Sequence, residues 1–161
     1  MTTTPMTPAA TLSGARMLQI LIAGSVATIA FDTFGQSISP LLGFSNLAPV
    51  PLAQQTLRVL TGINSGPAAF LIHILTGLIA YPLGWLLIAE PLRRRIWPAF
   101  PRMAAAVVYG VVLWVFALYV MAHLVAGNPP FLGWNGITWV ALVGHVLFAV
   151  VMVPFLPDPR D

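Results

Sequence analysis

Apolar residues run along the chain in four long stretches that are separated by shorter, more polar segments. The stretches cover about residues 17–35, 67–89, 103–126 and 136–156. A helix of about 20 residues crosses the apolar core of a bilayer, so each stretch is long enough to span a membrane. The pattern predicts an all-α fold, an integral membrane four-helix bundle that forms a single domain over residues 1–161.

A fifth, shorter helix is predicted in the segment 36–66, which joins the first two spans. The beginning of this segment, QSISPLLGFSNLAPVP, is rich in proline and serine and is predicted to be irregular. Over about residues 51–62, apolar side chains recur at helical spacing. Pro51 suits a helix start and Gly62 a helix stop. We expect an interfacial amphipathic helix whose apolar side covers either the outer membrane surface or a partner subunit.

Composition also indicates a membrane environment. Hydrophobic residues make up 58% of the chain and charged residues 7%, whereas soluble domains typically carry about 25% charged residues. So few charges do not solvate a globular surface of this size. Cysteine and lysine are both absent, which excludes disulfides, thiolate metal sites and Schiff-base chemistry. We expect neither a soluble enzyme nor a nucleic-acid partner.

The placement of arginine predicts the orientation in the membrane. Arg93, Arg94, Arg95 and Arg102 lie between spans two and three, whereas the loop between spans three and four has no charged residue. Loops rich in arginine are preferentially cytoplasmic. We therefore expect a multi-pass protein of a bacterial-type inner membrane, with both termini in the cytoplasm. The four arginines are interpreted as a topology signal, or secondarily as contacts to lipid headgroups.

Four ionisable side chains lie within the predicted spans, where such groups are costly and are candidates for function. Counted from the span ends at 1.5 Å per residue, Asp32 and His123 lie roughly 5 Å deep. His73 lies roughly 9 Å deep and His145 roughly 14 Å deep. All four therefore fall in the predicted outer half of the membrane. At similar depth, His123 and Asp32 would form a shallow hydrogen-bonded pair.

Asp32 belongs to a polar stripe along the first span. Ser25, Thr28, Asp32 and Gln36 follow one another at intervals of three, four and four residues, which places them on one side of a helix. We interpret the stripe as a hydrogen-bonded seam between helices, because serine and threonine commonly join membrane helices. A proton or quinone path is the alternative.

His73 and His145 are the best-matched pair for a b-type haem, which takes two imidazoles from facing helices. Their depths differ by roughly 5 Å. Gly77 lies one turn from His73, and Ala141 and Ala149 lie one turn to either side of His145, which leaves room for a macrocycle. No helix carries two histidines three or four residues apart. We therefore favour structural hydrogen bonds, with no cofactor and no metal, over haem b.

The chain contains no HExxH, GxSxG, GxGxxG or phosphate-loop motif. Our first hypothesis is a non-catalytic accessory or structural subunit of a larger inner-membrane complex, such as a respiratory or photosynthetic electron-transfer assembly. The alternative is a small di-histidine b-haem or quinone-interacting membrane protein. A small transporter ranks third, because the inner half of the predicted spans is almost wholly apolar.

The orientation is testable with reporter fusions. A reporter fused after Arg94 should behave as cytoplasmic, and one fused near Asn128 should behave as external, because the positive charges stay on the cytoplasmic side. Alkaline phosphatase and fluorescent-protein activities would be compared for both fusions. The opposite pattern would overturn the predicted orientation.

Overall fold

The computed structural model describes residues 14–158, and every regular element in that range is a helix. Four helices are long and apolar enough to cross a membrane: α1 (Gly14–Leu41), α3 (Gly66–Ile96), α4 (Arg102–Val125) and α5 (Gly136–Phe155). This confirms the all-α prediction and indicates a multi-pass membrane protein. A shorter helix, α2 (Pro49–Thr61), precedes α3. Residues 1–13 and 159–161 of the predicted domain lie outside the described range.

Local signals fix the ends of several helices. Pro49 begins α2, and Gly62 ends it with a left-handed φ of 77° that favours glycine. The Ser65 hydroxyl accepts a hydrogen bond from the Ala68 amide at the start of α3. The Asn135 side chain does the same for the Ile137 amide at the start of α5. These side chains satisfy amides that have no partner within their own helix.

The first long helix continues six residues beyond its predicted end at residue 35 and stops at Leu41. The expectation that residues 36–41 are irregular is therefore wrong. A wide π turn over Phe34–Ile38 carries the helix into the segment that contains Pro40. The Gly35 carbonyl accepts a hydrogen bond from the Leu47 amide at 2.9 Å. The segment that follows α1 thus supplies a hydrogen-bond donor to a backbone carbonyl of that helix.

The four long helices pack around one another in the order α3, α1, α5, α4. Gly24 of α1 lies directly against the backbone of Leu78 in α3, and Gly110 of α4 lies against the backbone of Val146 in α5. Lipid provides no hydrophobic drive for helix association, so close contact at small residues is a main source of packing energy. Side chains are absent at both glycines, and this lets the backbones meet.

Helices α3 and α4 contact each other mainly at one end of the molecule. We call this the arginine end, because the loop from Arg93 to Arg102 lies there, and we call the opposite end the α2 end. Near the arginine end, the Tyr109 hydroxyl donates a hydrogen bond to the Tyr81 carbonyl at 2.7 Å. Toward the other end the two helices diverge, and α2 contacts both of them.

Adding a methyl group at Gly24 or Gly110 should lower the thermal stability of the protein in detergent. The new Cβ would collide with the backbone of the neighbouring helix, and overpacking of this kind costs about 1–3 kcal/mol. Gly66→Ala is the matched control, because nothing lies within 4 Å of a Cβ at Gly66. Equal unfolding temperatures for Gly24→Ala, Gly110→Ala and Gly66→Ala would contradict the close packing.

Candidate functional site

A cavity of about 480 Å³ lies between the helices in the half of the molecule nearer the α2 end. All five helices line it, and most of its wall is apolar, including Leu118 and Met121 of α4 and Ile137 of α5. Small-molecule sites in proteins typically have volumes of about 300–1,000 Å³ and mostly apolar walls. The cavity therefore has the size and the character of a binding site for a small apolar molecule.

Helix α2 closes the cavity at the α2 end. The Asn128 side-chain amide donates a hydrogen bond to Gln55 Oε1 at 2.9 Å, and Gln55 Nε2 donates to the Ala126 carbonyl at 3.2 Å. Leu52 and Thr56 line the cavity from this helix. Part of the apolar side of α2 therefore covers the chain's own interior. Contact of the remaining side with a membrane surface or a partner stays a prediction.

The cavity reaches the surface where α3 and α4 diverge beside α2. Leu60 of α2, Ile72 of α3 and Phe116 of α4 line the cavity and are 63%, 40% and 44% exposed. Helices α3 and α4 are both candidate membrane spans.

Wide π turns occur in three of the helices that surround the cavity, at Phe34–Ile38, Thr76–Ala80 and Phe116–Val125. A fourth π segment, Trp85–Ala89, lies at the arginine end of α3. Turns of this type are rare in α-helices and are frequent at functional sites, because they redirect side chains. Two of these segments, in α3 and α4, contribute residues directly to the cavity wall.

The loop that joins α4 to α5 is held in an unusual backbone conformation beside the cavity. Phe131, Leu132 and Trp134 have left-handed φ angles of 50°, 56° and 55°. Each such conformation costs about 1–3 kcal/mol and persists where the surroundings fix it. The ring of Phe131 packs 4.7 Å from that of Trp114, and Leu132 lines the cavity. The strained loop thus supplies part of the wall.

Asp32 and His73 connect α1 to α3. The Nε2 atom of His73 lies 3.0 and 3.1 Å from the two carboxylate oxygens of Asp32, and Gln36 Nε2 donates to the same carboxylate at 2.8 Å. An ionised carboxylate only accepts hydrogen bonds, so Nε2 of His73 carries the hydrogen. The polar stripe therefore forms a hydrogen bond between helices at Asp32. His73 also lies on the cavity wall.

The predicted pair of His123 with Asp32 is wrong. Because α1 extends nine residues past Asp32 to Leu41, Asp32 lies roughly 14 Å from the helix end rather than 5 Å. This places it level with His73. His123 instead donates from Nδ1 to the Asn128 carbonyl at 2.7 Å, and its ring lies 5.4 Å from that of Tyr119. Its contacts hold the end of α4 and the loop that follows.

The other two members of the stripe differ in burial. Thr28 is 4% exposed and lies against Gly77 of α3, and its hydroxyl oxygen has no hydrogen-bond partner among residues 14–158. It lines the cavity. Ser25 is half-buried. Only part of the stripe is thus a hydrogen-bonded seam, and Thr28 leaves an unpaired hydroxyl oxygen buried between α1 and α3.

His145 is 6% exposed and also lies on the cavity wall. Its Nδ1 atom is 2.7 Å from the carbonyl of Ala141, one turn earlier in α5. A carbonyl only accepts, so Nδ1 carries the hydrogen. The ring of Phe31 lies 5.1 Å from that of His145 and 6.3 Å from that of His73. Both histidines therefore border the same space and flank one aromatic side chain.

Within the described range, no group of three or more histidine, aspartate or glutamate side chains is placed to hold a metal ion. A haem with two axial imidazoles needs only His73 and His145. Each of these rings donates one N–H to an acceptor of the protein, which is the usual arrangement for a histidine that binds iron or zinc through its other nitrogen. Haem binding at this pair stays a prediction.

The sequence analysis missed the role of Glu90, which is 1% exposed at the arginine end of α3. Arg93 donates two hydrogen bonds to its carboxylate at 3.1 and 2.8 Å and a third to the Phe100 carbonyl at 2.7 Å. The spacing of Glu90 and Arg93, three residues apart at the end of a span, is the signal that would have indicated this pair.

The four arginines of the predicted lipid-facing group therefore differ in role. Arg102 donates to the carbonyls of Leu156 and Pro157 at 3.2 and 3.0 Å, and so joins α4 to the end of α5. Arg94 and Arg95 are exposed. The internal contacts of Arg93 and Arg102 leave only Arg94 and Arg95 for headgroup contacts, which stay a prediction.

No protein-family model, curated protein or solved structure matches the chain. Its function is therefore argued from the cavity and from the polar groups on the cavity wall.

Replacement of Arg93 by alanine should destabilise the protein far more than replacement of the adjacent Arg94. Arg93→Ala leaves the buried Glu90 carboxylate without its closest cation, and loss of one partner of a buried ion pair typically costs about 3–5 kcal/mol. Arg94 is exposed, and surface substitutions usually change stability by about 0.5 kcal/mol or less. Thermal unfolding of both variants in one detergent would test this, and equal losses would contradict it.

Proposed function

We propose that the protein binds a lipid-soluble, ring-containing small molecule of the quinone class in its cavity. The observation that carries this proposal is an apolar space of about 480 Å³ that opens between two candidate membrane spans and has polar groups on its wall. Ligand sites typically combine a mostly apolar wall with a few polar groups that orient the ligand. Gln55, His73, Tyr81, Asn128 and His145 are among the polar residues on its wall.

Aromatic side chains support a ring-shaped ligand. Phe31, Tyr81, Phe116 and Phe148 all line the cavity. Aromatic rings pack favourably in offset or edge-to-face arrangements, with energies of about 0.5–1.5 kcal/mol beyond the burial of area. A quinone ring would lie among these side chains, and its apolar tail would leave through the opening between α3 and α4 into lipid.

The proposal includes a position in the membrane. The long helices form a four-helix bundle in a bacterial-type inner membrane, with both termini and the arginine end in the cytoplasm. Helix α2 lies at the outer surface, and Arg94 and Arg95 contact cytoplasmic headgroups. In support, the chain has its arginine-rich loop at one end of the spans and an uncharged α4–α5 loop at the other.

A role as accessory subunit of a larger electron-transfer complex is a second proposal. Exposed apolar side chains at the end of α1 and just after it (Leu41, Leu42, Phe44) and on α2 (Val59, Leu60) support it. Where such side chains form larger patches, they mark contacts with protein or membrane. The two proposals are compatible, because a non-catalytic subunit that holds a quinone would serve such a complex.

Ala117→Phe should remove ligand binding, because residue 117 lines the cavity and a benzyl group would occupy ligand space. Overpacking costs about 1–3 kcal/mol, which corresponds to a loss of roughly 5- to 150-fold in affinity. The control is Ala104→Phe, on the same helix but away from the cavity wall. Organic extracts of the purified proteins would be analysed by mass spectrometry for quinone-class lipids per mole of protein.

Retention by the wild type and by Ala104→Phe, with loss in Ala117→Phe, is the expected result. Equal content in all three proteins, or none in any of them, would contradict the proposal. The purified proteins also distinguish the alternative functions. Large partner proteins on a gel would support the accessory-subunit proposal. A reducible Soret band that is lost in His73→Ala or His145→Ala would favour haem b as the occupant.

A further inference from the structure

We propose that the cavity prefers the reduced, dihydroxy form of its aromatic ligand, a hydroquinone, over the oxidised dicarbonyl form. This inference rests on the proposed function and specifies the ligand of the same site. Its basis is the hydrogen-bonding character of the two imidazoles on the cavity wall. Each has its N–H group occupied by the protein, so each offers an acceptor to a bound molecule.

The partner of His73 fixes its tautomer. Both Asp32 oxygens lie within 3.1 Å of Nε2, and a carboxylate has no hydrogen to give, so the hydrogen is on Nε2. In a neutral imidazole with Nε2 protonated, Nδ1 is an acceptor. No residue from 14 to 158 donates a hydrogen bond to this Nδ1 atom. His73 thus offers one unpaired acceptor.

His145 has the opposite tautomer, and it also offers one unpaired acceptor. Its Nδ1–H group donates to the Ala141 carbonyl at 2.7 Å, so Nε2, at the far end of the ring, is the acceptor. The described part of the chain supplies no donor to Nε2. The side chain is more than nine-tenths buried and lies on the cavity wall. A ligand hydroxyl at this wall would supply the hydrogen bond that the described residues do not give to Nε2.

The two acceptors lie on different walls, one on α3 and one on α5, and the ring of Phe31 flanks both imidazoles. In the proposed complex, hydroxyl groups on opposite sides of the ligand ring donate to the two histidines, and the ring packs on Phe31.

A quinone is a poorer fit because its carbonyl oxygens only accept hydrogen bonds. Facing the acceptors of His73 and His145, its carbonyl oxygens would receive no hydrogen bond from either imidazole. Each lost hydrogen bond to a buried group corresponds to about a tenfold change in affinity. We therefore expect the hydroquinone to bind about tenfold or more tightly than the quinone with the same ring and tail.

The experiment compares three ligands with one carbon skeleton, a six-membered ring with a ten-carbon tail, presented as the hydroquinone, the quinone and the dimethyl ether of the hydroquinone. Dissociation constants are measured anaerobically at pH 8 for the full-length protein in lipid nanodiscs. The hydroquinone should bind most tightly. The dimethyl ether has the same ring but no hydroxyl hydrogen, so it should bind no more tightly than the quinone.

His145→Phe and Phe116→Leu are the test and control variants. His145→Phe removes one acceptor. The ratio of the dissociation constant of the quinone to that of the hydroquinone should therefore fall toward one. Phe116→Leu changes only an apolar part of the wall and should weaken both forms without changing the ratio. A ratio measured within one variant is insensitive to a modest loss of stability, so the comparison remains informative if His145→Phe is less stable.

The outcomes separate the two proposals. Saturable binding of all three ligands with equal affinity would overturn the preference for the hydroquinone and leave the proposed function standing. Tighter binding of the quinone than of the hydroquinone would also overturn the preference and leave the proposed function standing. Absence of saturable binding for every ligand would overturn the proposed function and this inference together.

Discussion

Helices α3 and α4 are held together at the arginine end and diverge elsewhere, and most of the structure follows from this constraint. At that end Tyr109 of α4 donates to the Tyr81 carbonyl of α3, and Arg102 at the start of α4 lies 4.0 Å from the buried Glu90 carboxylate of α3. Lipid does not drive helices together, so such polar contacts and the small residues beside them decide where helices meet. The opposite half lacks comparable contacts between α3 and α4, and the cavity occupies the gap.

The polar groups between the helices serve two purposes. Some join elements: Asp32 links α1 to α3, and Gln55 links α2 to the end of α4. Others line the cavity with hydrogen-bonding capacity left over, and His145 is the clearest case because its inner nitrogen is occupied by its own helix. A polar group inside a membrane is costly without a partner. Hydrogen-bonding groups that lack a partner on the wall of this cavity are therefore the main indication that it binds a ligand.

Hydropathy alone predicts the four long helices, because a run of about 20 apolar residues is specific for a membrane span. It does not predict that α1 continues through Pro40 to Leu41, since a π turn and the Leu47 amide compensate there. That error displaced Asp32 and paired it with the wrong histidine. The cavity itself depends on where α2 docks and where α3 leaves α4, and both are contacts between segments distant in sequence.

Spin labelling tests most directly whether the cavity is reached from lipid. The chain has no cysteine, so Ala117→Cys gives a single labelling site on the cavity wall. The label's collision rates with oxygen, which concentrates in lipid, and with a water-soluble nickel chelate would be measured in bilayers. If the cavity opens to lipid, collisions with oxygen should be frequent and collisions with nickel few. Frequent collisions with nickel would show a water-filled pore, protection from both would show a closed core, and either result would contradict access from lipid.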